Sequence, residues 1–376
     1  MSEKYDVIVI GGGPSGASAA KSLAEAQIRV LVIDKDDFPR EKLCGGGLTA
    51  NAKRAIKKIF KNVEFISREE KELHILNYSD DRFSPYITYS WKRPIIEVVD
   101  RFNFDDALLK EAINTGAKFE KDRITEIKIN RDEEFELISK DRIYTSDYLI
   151  VACGTFGTKL FREKDLISPN YSIIYQTSAD NVSRGNAISF FDEGFFWKFD
   201  AESYSKIGIG KYPPYLSYES AKKILSNYSS EEIKVAPIPV FNLRYSNEIN
   251  KSIPGCLFVG DSGGFVNNWT GEGISYAMDS GDFAARAILK HYSDPERINQ
   301  NFLDRLYKMA SHLQIAEAFR KIFYKDMNRS LEILGEKKFA KLFISFLSNY
   351  HTSTKKLKFR SFFIGGVKSY GSEKIK

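Results

Sequence analysis

At 376 residues the chain is long enough for two domains, or for one domain with large insertions. Hydrophobic residues at 43% and charged residues at 28% describe an ordinary soluble globular protein and exclude a disordered or collagen-like chain. The net charge of +6 is spread along the sequence with no RNP-like or helix-turn-helix pattern, so no nucleic-acid partner is expected.

Residues 5–10, YDVIVI, form a short apolar run ending in glycines, the pattern of a buried parallel strand. An Ala-rich stretch from 14 to 27 predicts a helix, and residues 28–33, IRVLVI, a second strand. Between them Gly11, Gly13 and Gly16 make G-x-G-x-x-G at the mouth of the helix. Gly11 permits the tight turn, Gly13 lets a pyrophosphate approach the backbone, and Gly16 allows close packing of helix on strand. The helix N-terminus offers free N–H groups and a positive dipole end to phosphate, with Pro14 and Ser15 in its first turn. Asp34, followed by Lys35, ends the second strand where a carboxylate can accept from a ribose 2′-OH and disfavour a 2′-phosphate. The bound dinucleotide is therefore not expected to be NADP.

Next comes PREKLCGGGL, with Cys44 against Gly45, Gly46 and Gly47. Three glycines in a row cost backbone entropy, so something must approach too closely for side chains. TANAKRAIKKIF predicts a helix capped by Thr49. Residues 63–99 are irregular with β character, and RFNFDDALLKEAINTG shows helical spacing ending at Asn114 and Gly116. Residues 123–129 and 134–144 suggest a hairpin; 147–154, DYLIVACG, a buried strand running into a turn at Ala152 and Gly154. From about 165 to 245 strands rich in Tyr, Phe and Ile suggest an antiparallel sheet. GCLFVGDSGGFVNNWTGEGI then places Gly260 and Asp261 at the end of a strand, with Gly271, Gly273 and Ile274 opening a helix. Beyond Pro295 the chain is helical and basic.

Cys44, Cys153 and Cys256 are odd in number, widely spaced and lack CxxC or CxxH neighbours. They argue for a reducing compartment and against a zinc site or disulfide framework; no metal site is expected. The apolar start lacks the basic flank of a secretory signal, and no stretch reaches the roughly 18 uncharged residues of a spanning helix. The expected location is cytoplasmic, free or peripheral on the inner face of the cell membrane. The 28 Phe and 20 Tyr fit either a large apolar cavity or a compositional bias shared with Lys, Ile and Asn.

The GD motif at Gly260–Asp261, Arg101 at the head of RFNFDDALL and the strand–turn VACGTFG together resemble the FAD-dependent oxidoreductases of the p-hydroxybenzoate hydroxylase fold. The resemblance implies FAD, with Asp261 on flavin-side hydroxyls and the helix near Gly271 aimed at the flavin pyrimidine edge. No second G-x-G-x-x-G occurs, so electrons would come from transient NAD(P)H or another donor, such as an electron-donor protein. Within that fold, PREKLCGGGL resembles the geranylgeranyl reductase family, which carries P-x-x-K-x-C-G-G here; this resemblance covers roughly residues 1–290. It implies reduction of prenyl-chain double bonds on a lipid or quinone, glycines 45–47 under the flavin, and Cys44 on its substrate side. A Gly-aromatic stretch of that family resembles GFFWKF, which makes Phe195, Trp197 and Phe199, with Trp269, the expected isoprenoid wall. Asp200 stands where the family commonly has Pro.

The implied fold is α/β with an α+β insertion. A Rossmann-like FAD-binding domain takes residues 1–80, 98–164 and 246–292. An antiparallel-sheet substrate domain takes 81–97 and 165–245, and a helical basic region takes 293–376. Cys44 is the best-placed proton donor, with reduced flavin or water as alternatives; His74, His291, His312 and His351 lie outside every motif. Lysines and phenylalanines mixed over 337–368 suit an interfacial anchor or the outer face of a packed helix. Two rival functions share the fold: an aromatic monooxygenase and a non-catalytic prenyl-lipid carrier.

Overall fold

The computed structural model describes residues 4–61, 63–180 and 185–336; the basic–aromatic run 337–368 lies outside them. β1 (Lys4–Ile10), α1 (Pro14–Glu25) and β2 (Val30–Asp34) follow the predicted order. Val7, Ile8, Val9, Leu31, Val32 and Ile33 are fully buried, because a parallel strand inside a sheet is covered by helices on both faces. The CGGG segment runs into β3 (Gly47–Leu48), and α2 (Ala50–Ile59) starts on Thr49, whose hydroxyl accepts from the Ala52 N–H. The irregular stretch resolves into β4 (Ser67–Glu70), the hairpin β5 (Glu72–Ser79) and β6 (Arg82–Ser90), and β7 (Ile96–Val99). α3 (Arg101–Asn114) is capped by the Asp100 carboxylate.

β8 (Lys118–Lys121), β9 (Glu126–Ile129), β10 (Phe135–Ile138) and β11 (Ile143–Val151) follow. The expected hairpin is instead a three-stranded meander. The Ser139 N–H donates to the Arg142 carbonyl and the Arg142 N–H to the Ser139 hydroxyl, so the chain turns where one strand was expected to continue. The second half holds β12 (Tyr171–Asp180), β13 (Ala187–Phe191), β14 (Gly194–Asp200), β15 (Tyr204–Lys211), α4 (Tyr218–Leu225) and β16 (Lys234–Pro239). α4 was not expected; Ser217 caps it and Ala221, Ile224 and Leu225 bury its inner face. Then come α5 (Leu243–Ile249), β17 (Cys256–Phe258), α6 (Ile274–Lys290), α7 (Pro295–Lys325) and α8 (Met327–Gly335).

The first sheet runs β8-β2-β1-β11-β10-β9, with β17 also on β11; β8, β2, β1, β11 and β17 are parallel. The second runs β16-β12-β15-β14-β13-β5-β6 and is antiparallel except where β13 meets β5. Both strands of the β5–β6 hairpin belong to it, so the expected division between residues 80 and 81 falls at a hairpin tip. β3, β7 and β4 form a small third sheet. α7 is shared between the cores: Phe302, Leu306, Met309 and Leu313 pack with α1, α6 and the first sheet, while Ala316, Phe319 and Phe323 pack with Leu73, Ile75 and Phe190 of the second. The described C-terminal helices thus clamp the two sheets together. Among the described residues, no helix is long and apolar enough to cross a membrane.

Candidate active site

A cavity of about 610 Å³ lies between the C-terminal ends of β1, β2 and β11 and the face of the second sheet. Open α/β sheets bind ligands at this edge. Twenty of the sequence-predicted site residues line it. From the first sheet and its loops come Gly11, Gly13, Pro14, Ser15, Asp34, Lys35, Ala152 and Gly154. Cys44, Gly45, Gly46, Gly47, Arg101, Asp261, Gly271, Gly273 and Ile274 follow, and Phe195, Trp197 and Phe199 come from β14. Gly16, Gly260 and Trp269 are not in the wall.

Gly16 acts from behind, as expected: a Cβ there would lie 1.8 Å from the Gly11 carbonyl oxygen, so only glycine lets α1 sit on the β1 turn. Gly260 has a left-handed φ of 55° and donates its N–H to Ser280. Trp269 is a correction. It is 1% exposed and packs among Phe190, Phe319 and Phe323, with ring centroids 5.9, 6.1 and 5.4 Å away. The Asn267 side chain accepts from the Trp269 N–H, holding a turn that sends the indole to the α7 side while Thr270 to Gly273 face the cavity.

At the first-sheet end, no side chain caps α1, and Gly13 occupies its N-cap. Its exposed N–H groups and dipole suit a diphosphate. Sequence reasoning missed Arg40, whose Nη2 lies 3.4 Å from where a Gly13 Cβ would stand. Its guanidinium stacks on Phe38 at 4.7 Å and is paired with Asp105 at 3.2 Å. A basic residue six positions after Asp34 was visible, but only the fold brings it over the glycine loop. Asp34 accepts from the Gly12 N–H at 2.7 Å and the Asp36 N–H at 3.0 Å, so it orders this loop as well as facing the cavity.

The three glycines have visible protein neighbours. A Cβ on Gly45 would come within 2.7 Å of both Trp197 and Phe199, and one on Gly47 within 3.0 Å of Phe199. Gly46 has φ 76°, and a Cβ there would lie 2.1 Å from the Val99 carbonyl oxygen. What approaches this backbone in the structure is therefore the aromatic wall and β7, rather than only a ligand. The Cys44 sulfur accepts from the Gly46 N–H at 3.4 Å and also bonds Arg101. Arg101 is 5% exposed. Burial works against its charge, but Asp105, at 2.6 and 2.7 Å, and Cys44 outweigh that and hold it protonated.

The wall itself is built by strand pairing. Phe195 stands opposite Gly210 and Trp197 opposite Gly208 on β15. A Cβ on Gly208 would lie 2.0 Å from the indole, so the small residues of one strand seat the large ones of the next. Phe195 and Trp197 stack at 5.6 Å, and Ile174, Ala236 and Ile238 continue the apolar surface.

The N-terminus of α6 opens on the same cavity, starting at Ile274 after the Gly273 cap. Glu272, which sequence reasoning passed over, lines the wall there. Its Oε1 accepts from the Ser275 N–H at 3.2 Å. Burial nevertheless pushes its carboxyl up to about 7, with Asp279 adding to the rise and Ser275 and Tyr276 opposing it.

A family model described as pyridine nucleotide-disulphide oxidoreductase matches residues 5–184. An uncharacterized protein of Methanosarcina barkeri is 33% identical over 354 residues, covering 88% of this chain and 87% of its own. A digeranylgeranylglycerophospholipid reductase of Picrophilus torridus is 25% identical over 353 residues, covering 87% and 88%. The chain belongs to the geranylgeranyl reductase family. A geranylgeranyl bacteriochlorophyll reductase-like protein of Thermoplasma acidophilum has the same fold, with TM-score 0.76 at 19% identity over 96% of both chains. This member of the family is an oxidoreductase with a Rossmann-like FAD-binding fold. Its similarity to relatives, at 88% of the chain, reaches past the first 290 residues that carry the sequence resemblance.

Proposed function

We propose that this geranylgeranyl reductase family member is a FAD-dependent reductase that saturates isolated double bonds of a prenyl chain carried by a lipid or quinone. The observation that carries the reading is one cavity joining the uncapped α1 N-terminus to the aromatic wall of β14, with Cys44–Gly47 against that wall. A dinucleotide fits the residues present, because the uncapped α1 N-terminus, Arg40 over Gly13 and the Asp34 carboxylate all meet in one cavity.

Gly11, Gly13, Pro14, Ser15 and Arg40 would hold the diphosphate, Asp34 and Lys35 the adenosine ribose, and Ala152 and Gly154 the adenosine side. Arg101, Asp261, Gly271, Gly273 and Ile274 would bind the flavin half. Bound and reduced, the flavin would supply a hydride for one alkene carbon. Phe195, Trp197, Phe199 and their aliphatic neighbours bind the chain and exclude water, which an unactivated alkene requires. Cys44 ties Gly46 to Arg101 and so shapes the loop beneath the wall. The reading calls for transient NAD(P)H or an electron-donor protein, and for access to a membrane surface where the lipid resides.

The test is anaerobic. Flavin in the purified protein is reduced with dithionite, a geranylgeranylated lipid is added, and reoxidation is followed while mass spectrometry weighs the product. Reoxidation with a gain of two hydrogens per reduced bond supports the proposal. Absence of reoxidation under argon, with fast reoxidation in air and an oxygenated aromatic product, would replace it with a monooxygenase.

A further inference from the structure

Resting on the prenyl-reductase reading, we propose that Glu272 is the catalytic acid that protonates the alkene, and that Tyr276 and His312 position its carboxyl. Reducing an isolated double bond consumes one hydride and one proton, and the proton must come from a group at the cavity wall. Glu272 lines that wall. Behind it, the Tyr276 phenol is hydrogen-bonded to the Glu272 side chain and lies 2.7 Å from His312 Nδ1. Tyr276 is 0% and His312 1% exposed, so α6 and α7 bury a carboxyl–phenol–imidazole chain with only its carboxyl end at the cavity.

A carboxylate in the first turn of a helix is ordinarily favoured as the anion. At Glu272 burial outweighs the Ser275 N–H and the phenol, so a substantial fraction of the group is still protonated at neutral pH. The Cys44 sulfur is instead engaged by the Gly46 N–H and the Arg101 side chain in the loop beneath the aromatic wall. In the step proposed, the Glu272 O–H bond breaks and a C–H bond forms at the carbon not receiving the hydride. The resulting carboxylate retains the Ser275 N–H and gains strength in the bond from the Tyr276 hydroxyl. Water entering after product release restores the proton.

The experiment uses flavin-loaded wild type, Glu272→Gln and Tyr276→Phe. Glutamine can still accept from Ser275, so a mere cap survives the change while an acid does not. Expected in Glu272→Gln are an unchanged flavin spectrum, normal reduction by dithionite, and reoxidation by geranylgeranylated lipid slowed about 100-fold or more. Infrared difference spectra between wild type and Glu272→Gln should show a protonated carboxyl band that fades as pH rises through about 7. Tyr276→Phe should lower kcat and leave KM unchanged. Reoxidation of Glu272→Gln at the wild-type rate would overturn this assignment alone. Failure of wild type to reoxidise would overturn the prenyl-reductase reading and this one with it. Should Glu272→Gln lose its flavin, unchanged kcat in Tyr276→Phe would make Glu272 a structural cap and overturn the proposal; a selective fall in kcat would support it.

Discussion

The N-termini of α1 and α6 open on the same cavity, both have glycine at the N-cap, and neither N-cap supplies a side chain to its helix. They differ in what stands beside them. α1 has Arg40 at its mouth, so cation, helix dipole and free N–H groups all favour an anion there. α6 carries its own acid, Glu272, half-buried in the cavity wall and already bonded to Ser275. The same backbone device thus serves two ends: one prepared for a charged ligand, the other placing a carboxyl whose protonated form burial favours. A helix terminus is defined by its neighbours as much as by its glycine.

The largest effect should come from the α1 end. Gly16→Ala puts a Cβ against the Gly11 carbonyl, backbone against backbone, and should cost about 3 kcal/mol or more. Thermal unfolding reads this directly, and a wild-type midpoint would break the account of the turn. Trp269→Ala should cost about 3–5 kcal/mol yet leave prenyl-lipid affinity intact, whereas Trp197→Ala should weaken lipid binding. Calorimetry beside a lipid-binding titration separates the two; equal losses of affinity would return Trp269 to the cavity wall.

At the α6 end the prediction concerns pH. The folded carboxyl of Glu272 titrates at about 7 against 4.5 for the ordinary group, so the native state holds this proton more tightly than the unfolded chain. Its contribution must fall as pH rises through that window, by up to about 3 kcal/mol. Denaturant unfolding of flavin-free protein, at about pH 5 and about pH 8, should show this loss in wild type and a smaller one in Glu272→Gln. Asp279, pushed up to about 6 by burial and by Asp282 against Lys58 and Arg54, declines in the same direction in both proteins. Arg40→Ala should raise the flavin dissociation constant about 10–100-fold, the worth of a charge-assisted contact of roughly 1.5–3 kcal/mol. Flavin fluorescence titration checks it, and unchanged affinity would remove Arg40 from the α1 site.

Much of this was legible along the chain. The first βαβ unit, the Thr49 cap and the alternation of Phe195, Trp197 and Phe199 depend on neighbours close in sequence, and all appear in the structure. The register of the second sheet was not legible: β5 lies beside β13 although over a hundred residues separate Ile75 from Ile188. Nor was the place of Trp269, since indole beside glycines suits a cavity wall as well as a core, and only Phe319 and Phe323 on a distant helix decide between them.

Local conformational needs were written in the sequence. Glycine at 16, where a side chain would strike the Gly11 carbonyl in the same turn, and polar caps before helices act between near neighbours in sequence. Tertiary structure alone decided which groups share a dielectric and a wall: Arg40 over Gly13, Gly45 under Trp197, and Glu272 against Tyr276 and His312. Burial and proximity set the charge state of a carboxyl, and neither exists until α6, α7 and the two sheets close around it.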